Sequence, residues 1–315
     1  MSKSSNWEST IKPIVVLSVI SLIASLLLAL VNGMTAPVIA ENTKRTTLAA
    51  YVGVLPSVSD ASELEEVTDY TTAGITGVVK APDGSTAIKE FCDGFPKAEV
   101  LNEALCNARV EDIEALNVPK ILGVSVVDGK WSILKEYVEG KTLQQLMDEN
   151  PDKLEEYMEG MVDLHLLIHK QACPLLNKLK EKTIRALKSV EQLDDSTRYE
   201  LMTRLDGMPK HTKLCHGDFN PTNIIVGDDG KWYVIDWVHA SQGNASADVA
   251  RTYLLLSLKD RKRAELYMDL FCEKTGTEKR YVQGWLPVVA AAQLAYKRPE
   301  EKELLESWIN VFEYQ

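Results

Sequence analysis

Residues 214–237 read L-C-H-G-D-F-N-P-T-N-I-I-V-G-D-D-G-K-W-Y-V-I-D-W, and this stretch decides the fold. It sets His216, Asp218 and Asn223 within eight residues, then a D-D-G turn, then Asp236 at the end of an apolar run. Asp, Asn and Pro cluster in turns because they preset or satisfy bent backbone. D-F-N-P-T-N taken alone therefore also fits an ordinary capped loop. The D-D-G turn and the V-I-D run fit an ordinary hairpin. What lies around the stretch separates these readings.

Upstream, residues 75–91 predict a hairpin. I-T-G-V-V-K and S-T-A-I-K-E-F flank A-P-D-G, where Pro presets φ and Gly accepts a positive φ. Residues 96–116 place Val100, Leu101, Leu105, Ala108 and Ile113 at near-helical spacing. Residues 118–127 and 130–138 predict two strands joined at Asp128-Gly129. From Leu143 onward the pattern is mainly helical, with strand-like runs only in residues 214–237. A small sheet with one helix thus precedes a larger helical part, and the junction falls near Val138, Glu139 and Gly140. Clefts between two such lobes are common small-molecule sites.

The residue types in the deciding stretch suit phosphoryl transfer from a nucleoside triphosphate. The acceptor hydroxyl needs a carboxylate to orient it and take its proton, a role Asp218 fits. Magnesium needs hard oxygen ligands, which the Asn223 amide and the Asp236 carboxylate supply. A lysine on the small sheet holds the α/β-phosphates and pairs with a helix glutamate. Lys89, in S-T-A-I-K-E-F, takes that place. Glu103 is its expected partner, with Glu99, one turn earlier on nearly the same face, as competitor.

The spacing H-x-D-x-x-x-x-N followed by an Asp matches the kinase pattern. The form H-G-D-F-N-P-x-N resembles the aminoglycoside-phosphotransferase and choline-kinase-like group, and residues 97–111 resemble the corresponding part of its bacterial members. Protein kinases carry H-R-D with Lys two residues on, where this chain has Gly217 and Asn220. Their metal-binding Asp precedes Phe-Gly, whereas Asp236 precedes Trp237-Val238. These departures favour a small-molecule acceptor over a protein. The resemblance implies that S-I-L-K-E-Y-V-E-G-K-T-L, residues 132–143, crosses between lobes, with the Glu136 carbonyl and the Val138 amide reading the adenine edge. It implies that His216 orients the catalytic loop and that Asp248 braces it, and Asp248 with Arg251 reads as a structural pair near a helix start. The expected phosphate-covering loop is T-T-A-G-I-T-G, residues 71–77, whose two glycines are a weak signal.

Composition narrows the classes. Hydrophobic residues make up 45% of the chain and charged residues 26%, enough apolar content for a folded core. The net charge of -11 argues against non-specific nucleic-acid binding and suits a cationic acceptor or simple solubility. Glu300, Glu301, Glu303 and Glu306 fit either a polyamine or a solvated helix face. The five cysteines are scattered and include no C-x-x-C pair, which argues against a disulfide framework or a zinc site. His165 and His169 share a helix face, as in helical zinc sites. No third ligand is evident, so core or capping roles are the expectation.

The run from Ile14 to Val31 reads I-V-V-L-S-V-I-S-L-I-A-S-L-L-L-A-L-V, with no charge. A spanning helix needs roughly 20 mainly apolar residues. A signal peptide with M-T-A as its cleavage site and a buried core helix are the alternatives. Lys3 and Lys12 precede the run and Lys44 and Arg45 follow it, so basic residues do not set its orientation. The following N-G-M-T-A-P-V-I-A-E-N resembles the N-terminus of the G-type component of Rnf electron-transport complexes, and the likeness extends weakly over the first quarter of the chain. It implies a membrane anchor. The covalent-flavin motif of that family, Ser/Thr-Gly-Ala-Thr, is absent from this sequence.

The expectation is a mixed α/β, protein-kinase-like fold with a β-rich N-lobe and a helical C-lobe, preceded by one transmembrane helix. Residues 1–40 form the anchor, 41–70 a linker, 71–138 the N-lobe and 139–315 the C-lobe. The expected activity moves the γ-phosphate of ATP, with Mg2+, to a hydroxyl of a small, cationic molecule that is aminoglycoside-like, choline-like or related, with no nucleic-acid partner and with protein partners undefined. The kinase-like part is expected on the cytoplasmic side of the membrane. A second reading, from another class, is a non-catalytic or chimeric protein that joins an Rnf-like anchor to an inactive kinase-like domain.

Overall fold

The computed structural model describes residues 12–52, 64–67, 75–81 and 85–309. The chain divides into two compact units. One comprises residues up to Glu65 together with Val127–Gly129, the other Glu66–Val126 and Lys130–Gln315.

In the first unit, α1 spans Lys12–Val52. Its uncharged run from Ile14 supplies much of the length, and the helix continues beyond Ala40 to Val52, into the stretch expected as linker. Pro37 lies inside it, where the ring removes one backbone donor. The segment Ile14–Asn42 is long and apolar enough to cross a membrane. Its large apolar side chains, among them Leu22, Leu28 and Met34, are exposed.

The second unit has a small sheet and a mainly helical part. β1 (Glu65–Val67), β2 (Ile75–Lys80), β3 (Thr86–Phe91), β4 (Ile121–Val127) and β5 (Lys130–Glu136) form a sheet of order β1-β2-β3-β5-β4. β3 is central and antiparallel to both neighbours, with Lys89 opposite Val78 on β2 and Ile133 on β5. Asp128 and Gly129 join β4 to β5 with φ of 49° and 79°, the left-handed pair that tight hairpins require. α2 (Lys97–Val110) packs Val100 and Ala104 against Phe91 and Ile133. It ends at Val110, short of the Leu116 expected from periodicity, because Glu111 and Asp112 begin a turn. The tip of the β2–β3 hairpin at residues 82–84, and residues 71–74 of the expected phosphate-covering loop, lie outside the described residues.

The helical part begins after β6 (Gly140–Thr142). Thr142 and Gln145 form a reciprocal capping box that starts α3 (Leu143–Glu149). Next come α4 (Leu154–His169), α5 (Leu179–Ser189) and α6 (Asp195–Gly207). The deciding stretch contributes β7 (Lys213–Cys215), a 3-10 turn at Pro221–Asn223, β8 (Ile224–Gly227) and β9 (Trp232–Val234). β10 (Ser241–Gly243) pairs with β7, while β6, β8 and β9 form a second ribbon. α7 (Ala245–Ser257), α8 (Arg261–Thr275), α9 (Lys279–Gln283), α10 (Leu286–Gln293) and α11 (Lys302–Ile309) follow. One apolar core, including Met158, Phe219, Trp237, Tyr253 and Met268, supports the deciding stretch from beneath.

Candidate active site

The loop between β7 and the 3-10 turn is fixed almost atom by atom. The His216 Nδ1 accepts from the Asp218 N–H at 3.1 Å, so Nε2 carries the proton and donates to the Ile235 carbonyl at 3.0 Å. The imidazole therefore ties the loop of Asp218 to the strand that delivers Asp236. Gly217 has φ +82°, and a Cβ there would lie 2.6 Å from the His239 carbonyl oxygen, so glycine is required by both backbone and space.

Asp248, in the first turn of α7, grips the loop from below. Its Oδ1 accepts from the Gly217 N–H at 2.8 Å and its Oδ2 from the His216 N–H at 2.8 Å. Oδ2 also meets His165 Nε2 at 3.0 Å and His169 Nε2 at 3.2 Å. Burial opposes ionisation of Asp248, yet these two imidazoles hold its carboxyl well below the usual range. The histidines are therefore core residues of the brace, as expected. Asp248 is the third oxygen or nitrogen donor beside them that sequence spacing did not reveal. Asp248 and Arg251 do not pair with each other among the described residues. Arg251 instead donates from Nε to the Gly217 carbonyl, so the two hold opposite ends of one residue's backbone.

Asn220 accepts from the Thr222 N–H at 3.0 Å and donates to the Asp218 carbonyl at 3.0 Å, which closes the turn. Asn223 Nδ2 donates to the Asp218 carbonyl and to Asp218 Oδ2, both at 2.9 Å. Burial pushes the Asp218 carboxyl above its ordinary value, and the nearby Asp236 charge adds to this, against Arg251 and His216. A carboxylate raised in this way is a better proton acceptor.

Asp236 adopts a left-handed conformation, φ 63° and ψ 60°. A non-glycine residue held there is strained, and such strain concentrates at functional positions. Burial works against its charge, but Lys89 and then Lys135 hold its pKa below the ordinary value. Its Oδ1 is buried with no hydrogen-bond partner among the described residues. An orphaned carboxylate oxygen beside an amide whose nitrogen is already engaged is the donor set a hard cation such as Mg2+ takes. The residues expected as metal ligands, Asn223 and Asp236, fit that ion.

Lys89 is 2% exposed. Its Nζ lies 2.5 Å from Glu103 Oε1 and 3.9 Å from Asp236 Oδ1. Glu103 is thus the α2 partner, and Glu99 stays exposed on the cleft wall. Lys89, Glu103, Asp218 and Asp236 all line one cleft of about 310 Å³. Glu136 and Val138 line a narrower slot of about 160 Å³ beside Val78, Ala87, Ile225 and Ile235. That slot is lined mainly by apolar side chains, and Ile235 joins it along the chain to Asp236. A larger cavity of about 460 Å³, between α5, α6 and Trp285, holds none of the expected residues. Size alone therefore does not locate the chemistry.

Sequence reasoning missed several residues of the cleft. Tyr296, Arg298, Gln293 and Leu255 line it from the far C-terminal side. Lys182 donates to the His239 carbonyl at 2.6 Å, and burial lowers its pKa to about 8. These residues sit in helices and turns with no local motif, so only the tertiary fold gathers them.

No curated protein matches the sequence. Among solved structures, a thermostable mutant of aminoglycoside phosphotransferase APH(4)-Ia in its apo form is 15% identical, with 82% of this chain and 96% of that chain covered and a TM-score of 0.61. Another structure of that enzyme, a ternary complex with AMP-PNP and hygromycin B, is 17% identical over 82% and 93% of the two chains, with a TM-score of 0.60. Choline kinase LicA from Streptococcus pneumoniae is 17% identical over 81% and 89%, with a TM-score of 0.55. At such identities the likeness is one of fold, a mixed α/β kinase-like architecture. The model of the phosphotransferase enzyme family (APH) matches residues 91–286, well over half of the chain, and the protein belongs to that family.

Proposed function

We propose that this phosphotransferase moves the γ-phosphoryl group of ATP to a hydroxyl of a small molecule. The observation that carries this reading is the convergence of Asp218, Asp236, Lys89 and Glu103 on one cleft. Asp218 orients the acceptor hydroxyl and takes its proton. The hydroxyl oxygen forms a bond to the γ-phosphorus as the bond to the β–γ bridging oxygen breaks, and ADP leaves. Lys89, held by Glu103, positions the α/β-phosphates. The adenine lies in the slot at Glu136 and Val138, read by a carbonyl and an amide. Mg2+, bound by Asn223 and Asp236, supplies charge neutralisation on the triphosphate. The lobes meet at about Val138 and Glu139.

The apolar run from Ile14 to Val31 serves as a membrane anchor in this reading, and the catalytic unit faces the cytoplasm, where ATP is present. Its length, its lack of charge and the Rnf-like sequence that follows support the anchor, and the need for ATP alone argues for the cytoplasmic side. An impermeant thiol reagent tests the orientation. Cys92 and Cys272 are partly exposed, so labelling of intact cells reports an external catalytic unit and labelling only after permeabilisation an internal one.

Calorimetric titration of MgATP into the detergent-solubilised full chain, beside Asp236→Ala, tests the nucleotide site. Binding that weakens in the variant supports the reading. A folded chain that binds no nucleotide refutes it and leaves a non-catalytic, membrane-anchored protein.

A further inference from the structure

The cleft has two ends. One holds Lys89, Glu103 and Asp236, and the other is walled by Val238, His239, Arg251, Leu255, Tyr296 and Arg298. Asp218 stands between them as the proposed base, so the second wall is where an acceptor rests.

That wall presents cationic donors. Arg251 uses Nε on the Gly217 carbonyl and Nη1 on Gln293 Oε1 at 2.7 Å, which leaves Nη2 without an acceptor among the described residues. Gln293 Nε2 donates to Glu301 Oε2 at 2.6 Å, and Arg298 Nη1 donates to Glu301 Oε1 at 3.0 Å. The series Arg251, Gln293, Glu301, Arg298 fixes two guanidinium groups about one opening. Each keeps spare N–H groups in the planar fork that suits carboxylate or phosphate oxygens.

The features that would recognise a cation are occupied. Aromatic faces bind ammonium groups. Tyr296, the exposed aromatic here, already has the Arg251 guanidinium 5.6 Å and the Arg298 guanidinium 5.9 Å from its ring centre. Glu301 is 7% exposed with both carboxylate oxygens engaged, so it offers nothing to a polyamine. His239 is kept neutral, its pKa lowered to about 3 by burial and by Arg251. Among the described residues that line the cleft outside the catalytic set, the one carboxylate is Glu99, across the cleft on α2.

We propose that the acceptor is an anionic hydroxyl compound, its carboxylate or phosphate held by Arg251 and Arg298 while its hydroxyl lies at Asp218. This rests on the reading of Asp218 as the base. The chemistry departs from the small cationic acceptor that the net charge of the chain suggests, because the charge that selects a ligand is local to the wall.

The test uses the full chain in detergent with γ-labelled MgATP. A small-molecule extract of the producing cells is separated beforehand into anion-exchange-retained, cation-exchange-retained and unretained fractions. Labelled product is expected from the anion-retained fraction, with phosphatase pretreatment of that fraction distinguishing phosphate from carboxylate acceptors. Arg298→Gln is expected to raise KM for that acceptor at least about tenfold, the scale of one charge-assisted contact, with KM for MgATP within about a factor of two. Arg298→Glu should lose more. Label arising only from the cation-retained or unretained fractions overturns the proposal and leaves the phosphotransfer reading standing. So does an Arg298→Gln effect that falls on KM for MgATP. A chain that binds MgATP and labels nothing in any fraction removes both.

Discussion

Asn223 Nδ2 donates at 2.9 Å to Asp218 Oδ2 and at the same distance to the Asp218 carbonyl. One amide thus fixes both the side chain and the backbone of the proposed base, and its oxygen is left for the proposed magnesium ion. Asp218→Asn keeps the shape of the side chain and removes its basicity. The expected result is a fall in kcat of about 10²–10⁴-fold, the usual worth of a positioned base, with MgATP affinity retained. Turnover unchanged in this variant would remove Asp218 from the chemistry.

Lys89 and Glu103 form a buried pair that joins β3 to α2. Removing one partner of such a pair strands a charge, at a cost of roughly 3–5 kcal/mol, whereas replacing both with apolar groups is often close to neutral. Glu103→Leu and Lys89→Met should each lower the unfolding free energy by about 3 kcal/mol. The double variant should recover only part of this, because Asp236 still loses the Lys89 charge beside it, and should fail to transfer phosphate. A double-mutant cycle in denaturant, read beside kcat/KM, measures both. Additive losses would mean that the pair contributes no coupling.

The deciding stretch made the geometry of the candidate site readable because its residues are close in sequence and carry turn chemistry. H-G-D-F-N-P-T-N closes on itself through Asn220 and Thr222, and V-I-D ends a strand, so spacing translated directly into position. Lys89 was legible because it and Glu103 lie on consecutive elements, β3 and α2, only 14 residues apart. The acceptor wall was not, because Arg251, Gln293, Tyr296 and Arg298 come from α7, the end of α10 and the turn beyond it. Helical periodicity says which face is buried but not which distant helix meets it. The same limit hid the role of Arg251, whose partner, the Gly217 carbonyl, is a backbone atom 34 residues away. The charge of the whole chain fits a cationic acceptor or simple solubility alike, because it sums solvated faces over the whole molecule rather than the lining of one cleft.

Gly217 has φ +82°, and a Cβ there would meet the His239 carbonyl. Any L-residue costs about 1–2 kcal/mol in that conformation before contacts are counted. Gly217→Ala should therefore pull the backbone held by Asp248 and Arg251 out of place. The melting temperature is expected to fall by several degrees, and kcat should fall further than stability explains when measured well below the melting transition. Retained kcat in a folded Gly217→Ala protein would show that the grip of Asp248 and Arg251 on this backbone is dispensable.

Acid stability should report on His165. Burial, with His169 beside it, lowers its pKa to about 3, although Asp248 pulls the other way. In the unfolded chain a histidine titrates near about 6.5. Between these values the unfolded state binds a proton that the folded state refuses, so stability is complete above about pH 6.5 and falls as pH drops. The slope approaches about 1.4 kcal/mol per pH unit for one proton, which amounts to about 2 kcal/mol by pH 5. Asp248 does not confuse the window, because its carboxyl stays ionised well below the usual range and its contribution is lost only at lower pH. His239, also near 3, contributes a slope of the same sign in both proteins compared. Unfolding curves followed by tryptophan fluorescence at pH 7, 6 and 5 should therefore show a shallower pH dependence in His165→Gln, by about one proton. The variant should also start from a lower stability at pH 7, because Asp248 and Tyr267 each lose their present hydrogen-bond geometry. Parallel pH profiles in the two proteins would mean that His165 titrates in the folded state much as it does in the unfolded chain, and that the brace beneath the catalytic loop tolerates a charged imidazole.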